Sequence, residues 1–243
     1  METIFFETGI RLAQVNAVHF DGSDYIRRNT DMTGNADSKL IAGSQWFKRT
    51  TTGLEYLWAS FTGSSYCLAI YFDASNLITV KGYNAAATEI LSVQSSSAVT
   101  DTSWHHLAYS FNMGNAAQRH LILDGVDVLS VTTYTDDTLD LADATRDHRC
   151  GTNDSDIYPF TGDMAEFWLD YGTYIDLSSA AELQKFYLVS KPVNLGPDGS
   201  IPTGSAPLVY FTGDTATWPD NAGSGGTFTE IGTLTTASTS PSD

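Results

Sequence analysis

Two carboxylates in the run Glu166-Phe167-Trp168-Leu169-Asp170 and two imidazoles in Trp104-His105-His106 are the side chains here whose types and spacing could do chemistry. A pair of carboxylates about 5–5.5 Å apart can cleave a glycosidic bond with retention, one as acid and the other as nucleophile. In this run Trp168 holds the middle position and no second Glu follows, so Glu166 suits a structural hydrogen-bonding or rim role better than catalysis. His105 and His106 are adjacent, and neighbours on a strand point to opposite faces, so they cannot chelate one ion together. One imidazole is expected to satisfy a backbone group within the sheet while the other faces outward. Asn153-Asp154-Ser155-Asp156 and Asp136-Asp137 gather the oxygen donors that a hard cation prefers, without EF-hand spacing. No cofactor is expected, with calcium the one alternative those loops leave open. Gly223-Ser224-Gly225-Gly226 precedes a Thr-rich strand rather than a helix, which removes the phosphate cradle a glycine loop would otherwise signal. No catalytic residue is assigned, and the sequence defines neither a metal-binding nor a carbohydrate-binding set. Aromatic platforms for a sugar ring would come from Trp46, Trp58 or Trp218. Trp46 and Trp58 lie in apolar strands and read as core, whereas Trp218 beside Pro219-Asp220-Asn221 reads as a loop residue, with packing against the sandwich edge its leading role.

The elements that would position these groups are strands. Leu107, Tyr109 and Phe111 recur at period two, and Leu121-Ile122-Leu123 and Val126-Asp127-Val128 flank Asp124-Gly125, a hairpin signal. Further strands are expected at 17–26, 40–47, 55–61, 66–72, 77–80, 88–93 and 207–211, and a last one within 223–231. One helix is predicted over Ala180–Leu188, capped by Ser178 or Ser179, with Leu183, Phe186 and Tyr187 on one face and Pro192 beyond its end. Residues 1–14 form an apolar N-terminal arm carrying Ile4, Phe5, Phe6, Ile10 and Leu12; 15–190 form the body; 191–243 form a Pro, Gly and Thr-rich extension that returns to it.

Composition narrows the function classes. The 243 residues carry 29 acidic against 12 basic side chains, a formal charge of −17, and no basic cluster longer than two residues, so nucleic-acid binding is disfavoured. No apolar run reaches the length of a membrane span, and Met1–Glu7 lacks a secretory leader's basic and apolar regions. Cys67 and Cys150 read as small buried hydrophobes, their redox state left open.

The runs Trp104-His105-His106-Leu107-Ala108-Tyr109-Ser110-Phe111, Leu121–Val128 ending in Asp-Gly, Thr161-Gly162-Asp163-Met164-Ala165-Glu166-Phe167-Trp168 and the opening strand Ala17–Ile26 resemble the laminin-G, pentraxin and concanavalin A-like sandwiches over roughly residues 15–190. The resemblance implies an all-β, antiparallel jelly-roll sandwich with one short helix. It also brings in glucanases of the same fold, whose Glu-x-Asp-x-(x)-Glu strand the run at 166–170 fails to reproduce. The last 70 residues or so, from Tyr174-Ile175-Asp176-Leu177 through Lys191–Trp218 to the Thr-rich end, resemble the endings of lectin-like proteins of tailed bacteriophages. That resemblance implies a non-enzymatic virion protein made in the host cytoplasm, on the capsid surface as a decoration or head-fibre component. Its partners would be the major capsid protein or tail proteins, in a homo-oligomer on the particle, with no nucleic acid and no membrane insertion. The alternatives are a tail-associated module recognising host surface glycans and, behind it, a glycan-cleaving enzyme.

Overall fold

Leu107, Tyr109 and Phe111 are fully buried on one face of their strand, as alternation requires, and Ala108 and Ser110 between them are buried too, because chain packs on the other face of the same sheet. The computed structural model describes residues 11–243. The first half forms β1 (Val18–Asp21), β2 (Tyr25–Arg28), β3 (Leu40–Arg49), β4 (Glu55–Thr62), β5 (Ser65–Phe72), β6 (Leu77–Tyr83) and β7 (Glu89–Ala98). There follow β8 (His105–Asn112), β9 (Arg119–Leu123), β10 (Val126–Asp127), β11 (Leu129–Tyr134), β12 (Asp147–Cys150) and the long β13 (Thr161–Tyr171). The remainder holds α1 (Ala180–Leu183), β14 (Tyr187–Leu188), β15 (Lys191–Pro192), β16 (Val209–Phe211), β17 (Thr229–Ile231) and β18 (Thr235–Thr236).

All these strands pair antiparallel. One sheet runs β10-β9-β8-β3-β13-β1-β18, with β16 also on β13; the other runs β11-β7-β6-β5-β4-β12-β2-β17; β14 and β15 make a small ribbon. The all-β antiparallel sandwich read from sequence is what the chain forms. Asp124 and Gly125, at φ 50° and 81°, close the β9–β10 hairpin in the two-residue geometry that needs positive φ at both positions. Between the sheets lies one core that includes Phe20, Phe47, Trp58, Phe72, Phe111 and Phe167. Each such side chain removed from water contributes roughly 1.5–3 kcal/mol.

The outer face of the first sheet is covered by chain. Ala42, Ala108, Ile122 and Trp168 receive Ile175, Leu177, Phe186, Leu195 and Tyr210, while Trp46 and Ala165 pack with Val15, Trp104, Tyr187 and Ala237. At the start of the chain, Leu12 bridges to Val193; the arm's Ile4, Phe5, Phe6 and Ile10 lie outside the described residues.

Three expectations need correction. The opening strand expected over 17–26 breaks at Gly22-Ser23-Asp24, where Gly22 takes φ 91°, into β1 of the first sheet and β2 of the second. The helix stops after one turn, with no capping bond from the Ser179 side chain, and Ser178 Oγ donates instead to Asp176. Phe186 is drawn edge-on to Trp168, with centroids 5.3 Å apart, and Tyr187 stacks on Trp46 and on His106 at 5.7 and 5.1 Å. This packing outweighs local helix preference and sends Tyr187–Leu188 into the ribbon. In the last predicted strand only Thr229–Ile231 is extended. Gly223 and Gly225 instead lie against the Leu208 carbonyl, where an added Cβ would come within 2.9 and 2.6 Å of it.

Candidate ligand-binding face

The second sheet's outer face carries tyrosines where its inner face carries core. On β5, Tyr71 lies between the fully buried Ile70 and Phe72, and it pairs across the ladder with Tyr56 of β4. Their rings stack at 4.8 Å and 15°, while Tyr66 and Tyr158 flank Tyr56 at 6.0 and 6.4 Å. Tyr158, from the loop joining β12 to β13, also ties that loop down, because its carbonyl accepts from the Tyr56 amide at 3.1 Å. Tyr56, Tyr66 and Tyr71 are half-buried and Tyr158 is 37% exposed, so the aromatic stack meets solvent. Cross-strand aromatic pairs of this kind each contribute roughly 0.2–1 kcal/mol to the sheet and leave ring surface for a ligand.

Polar groups frame the stack. Tyr66 Oη donates to Asp154 at 2.5 Å; beyond Tyr71 come Thr79 and Gln94, the latter donating to Asp73 at 3.0 Å and to Thr79 at 3.2 Å. Lys81 and Glu89 form an ion pair at 2.7 Å beside Tyr83. Burial pushes the phenols of Tyr56 and Tyr71 up to about 12 and raises that of Tyr66 further. All three therefore remain protonated hydrogen-bond donors throughout the physiological range.

At the other end, Arg27 grips Asp147 with Nε and Nη2, at 3.0 and 2.7 Å, and Arg149 shares that carboxylate at 3.1 Å while also pairing with Asp156. The Arg149 guanidinium lies 4.9 Å over Phe61 and 5.4 Å over Tyr25. The face is thus aromatic and hydroxyl-rich, with its cations already neutralised. It suits a ligand that offers hydroxyls and flat C–H faces.

The residues singled out in sequence lie elsewhere. Glu166 occupies a bulge of β13 with φ 51°, at the point where β1 stops pairing with Met164 and β16 begins with Phe167. Its carboxylate accepts from Tyr210 Oη and Thr212 Oγ1, both at 2.5 Å, and burial raises its pKa against those two bonds. Asp170 accepts from Thr173 Oγ1 and the Leu208 amide, so both carboxylates of the run hold the C-terminal portion of the chain.

The expected roles of the histidines are revised. His106 is fully buried, hydrogen-bonded to Ser44 Oγ at 2.8 Å, and pushed down to about 3 by desolvation. His105 bridges the carboxylates of Asp124 and Asp101 at 2.7 and 3.1 Å, which raise its pKa. Neither ring bonds a backbone group; nearby side chains supplied better partners.

Trp218 is core rather than loop surface: fully buried, it stacks on Phe211 at 5.6 Å and meets Phe20 edge-on at 6.0 Å. In the acidic loops, Asp154 and Asp156 face Tyr66 and Arg149, while Asp136 pairs with Lys39 and Asp137 accepts from Asn84. Among the described residues no three His, Cys, Asp or Glu side chains gather around a common point. Cys67 and Cys150 are free thiols, both buried, and desolvation pushes Cys67 up to about 11. The tyrosine face is absent from the sequence expectations, although the alternation of Tyr71 with Ile70 and Phe72 is a readable outward signal.

Two packed antiparallel sheets, with one outer face covered and the other bearing half-buried aromatics, define a lectin-type sandwich. The chain belongs to the concanavalin A-like lectin/glucanases superfamily, whose laminin G-type family matches residues 20–171. A candidate carbohydrate-binding protein of Bacteroides ovatus superposes on 93% of this chain and 61% of its own length, with 12% identity and a TM-score of 0.62. This chain therefore spans about three fifths of that protein. The heptameric SAP-like pentraxin of Limulus polyphemus matches 69% of this chain and 82% of its own, at 10% identity and a TM-score of 0.49. Domain 4 of AbnA, a GH43 extracellular arabinanase of Geobacillus stearothermophilus solved in complex with arabinotriose, matches 72% and 81%, at 19% identity and a TM-score of 0.48. At such identities the likeness is one of fold. No curated protein matches the chain in sequence.

Proposed function

We propose that this chain is a non-catalytic glycan-binding sandwich of a tailed-phage virion, recognising carbohydrate on the tyrosine-bearing outer face of its second sheet. The observation that carries the reading is the Tyr56–Tyr71 stack, extended by Tyr158 and Tyr66, on the sheet face that the described residues leave uncovered. Sugar C–H faces pack on phenol rings, and the protonated hydroxyls of Tyr56 and Tyr71 donate to ring oxygens and hydroxyls, Tyr66 having given its proton to Asp154. The described carbohydrate-binding character of the Bacteroides ovatus protein supports the same ligand class. Binding without cleavage is favoured because Glu166 and Asp170 are engaged under the covered face, away from the tyrosines.

The virion setting rests on the resemblance of the C-terminal portion to phage lectin-like proteins. Within it the tyrosine face favours glycan recognition by a tail-associated module over a purely structural capsid decoration.

A glycan array probed with the full chain tests the first part: binding to a defined glycan class that Tyr71→Ala weakens at least tenfold is expected. No binding to any glycan by a folded chain, or undiminished binding by the variant, overturns it. Copy number per purified virion tests the setting. A handful of copies at the tail fits receptor recognition, tens to hundreds on the head restore decoration, and absence from the particle refutes a virion protein.

A further inference from the structure

On the opposite side of the sandwich from the tyrosine face lies a concavity of about 330 Å³, where three stretches of chain converge. They are Thr173–Ile175 after β13, α1 with the turn that follows it, and the loop at Pro202–Ser205. Ile175 packs on the outer face of the first sheet, so this hollow and the tyrosine stack face away from each other. The volume is within the range of small-ligand sites and holds one sugar-sized molecule.

Its walls are pinned. Lys185 Nζ bonds Glu182 at 2.8 Å and the Pro202 carbonyl at 3.1 Å, tying the helical turn to the loop. Tyr174 Oη is held by His120 Nε2 at 2.8 Å, and Thr203 Oγ1 donates to the Ser205 carbonyl at 2.8 Å. Such a hollow is largely formed before a ligand arrives, which lowers the entropy lost on binding.

Its chemistry selects by elimination. Among the described lining residues the one cation, Lys185, is already paired with Glu182, and the chain carries a net charge of −17, so an anion is disfavoured. Apolar wall comes chiefly from Ile175 and Pro202, too little for a greasy ligand. The Thr173 and Thr203 protons go to Asp170 and the Ser205 carbonyl and Tyr174 Oη is held by His120, so the Ser205 hydroxyl is left as donor, while the remaining lone pairs of the Thr173 and Thr203 hydroxyls and Glu182 Oε1 accept from a neutral molecule rich in hydroxyl groups. We infer that this hollow is a second ligand site that takes a neutral, sugar-sized polyol, such as the terminal residue of a glycan. The pocket stands independently of the tyrosine face. Where both faces bind, one chain bridges two glycan strands, and that consequence alone rests on the reading given above.

The test is amide chemical-shift mapping on the full chain with methyl α-D-glucopyranoside, methyl β-D-galactopyranoside and N-acetylglucosamine, each at about 20 mM, enough to fill a site of Kd about 1 mM. At least one probe is expected to move Thr173–Ile175 and Thr203–Ser205. Ser205→Trp, which fills the hollow from an exposed loop, abolishes those shifts, and Tyr71→Ala leaves them intact. Absence of shifts there with all three probes overturns the site, as does persistence in a folded Ser205→Trp chain. Loss of the shifts in a folded Tyr71→Ala chain also overturns it. Shifts at this hollow with none at the tyrosines would sink the tyrosine reading and leave this one standing.

Discussion

Replacing Arg49 with Met tests whether the end of the core is held by a buried ion. The Arg49 side chain is 1% exposed, and its Nε and Nη2 reach Glu55 Oε2 at 2.7 and 2.6 Å. Nη1 donates to Asn76 Oδ1 at 3.1 Å and to the Val99 carbonyl at 2.9 Å, Nη2 to the Gly53 carbonyl at 2.9 Å, and the guanidinium carbon sits 4.0 Å over the Phe72 ring. One side chain thus joins β3 to the β3–β4 turn, the β5–β6 turn and the segment after β7. Met fills similar volume but leaves Glu55 buried with only Thr51 and the Thr161 amide as donors. Removing one partner of a buried pair costs about 3–5 kcal/mol, a large share of the roughly 5–15 kcal/mol that holds a typical domain. Removing both charges, in Arg49→Met with Glu55→Met, is expected to recover most of that loss, because a buried pair replaced by apolar residues is neutral or gains about 1–4 kcal/mol over the intact pair. Urea unfolding at neutral pH reads both variants through the midpoint at constant m. A single-variant loss below about 1 kcal/mol, the level of an exposed pair, or a double variant no more stable than the single one, refutes the reasoning.

Three more substitutions probe the buried polar groups and the glycine-lined core. Burial raises the Glu166 pKa above the ordinary 4.5, so the stability held by its neutral form is full below that value and is lost as pH rises through the raised one. Glu166→Gln keeps partners for Tyr210 and Thr212 and is expected to be the more stable chain at pH 7.5, the gap closing near pH 4; equal midpoints at both pH values would count against the buried carboxylate. His106 runs the other way: with its folded value pushed down to about 3, stability is lost as pH falls below the ordinary 6.5, by about 1.4 kcal/mol per unit until the folded value is reached. His106→Gln should flatten that acid limb relative to the parent, and parallel limbs in urea midpoints from pH 7 to 4 would refute the assignment. Gly43→Ala places a Cβ 2.2 Å from the Tyr109 ring inside the core, and thermal unfolding should show a loss of about 1–3 kcal/mol or more, a neutral result meaning that Tyr109 has room to move.

What the sequence disclosed depended on whether the signal was local. Alternation at Leu107, Tyr109 and Phe111 and the Asp124-Gly125 turn are written into consecutive residues, and both survive intact in the sandwich. Glu166 and Trp218 are different. The role of Glu166 comes from a bulge that lets β1 and β16 share one edge of β13, and Trp218 owes its burial to Phe20 and Phe211, each remote or on another strand. A bulge shifts register by one residue, and a one-residue shift exchanges the faces of everything beyond it, so parity counted along β13 or β4 misplaces side chains past the irregularity. The tyrosines show the same dependence. Each of Tyr56, Tyr66 and Tyr71 reads singly as a strand residue, and only the β4–β5 register makes them neighbours. Whether the resulting stack could meet a ligand was decided farther away still, by the chain after β13, which among the described residues lays Ile175, Leu177, Phe186 and Leu195 on the first sheet and leaves the tyrosine face of the second open.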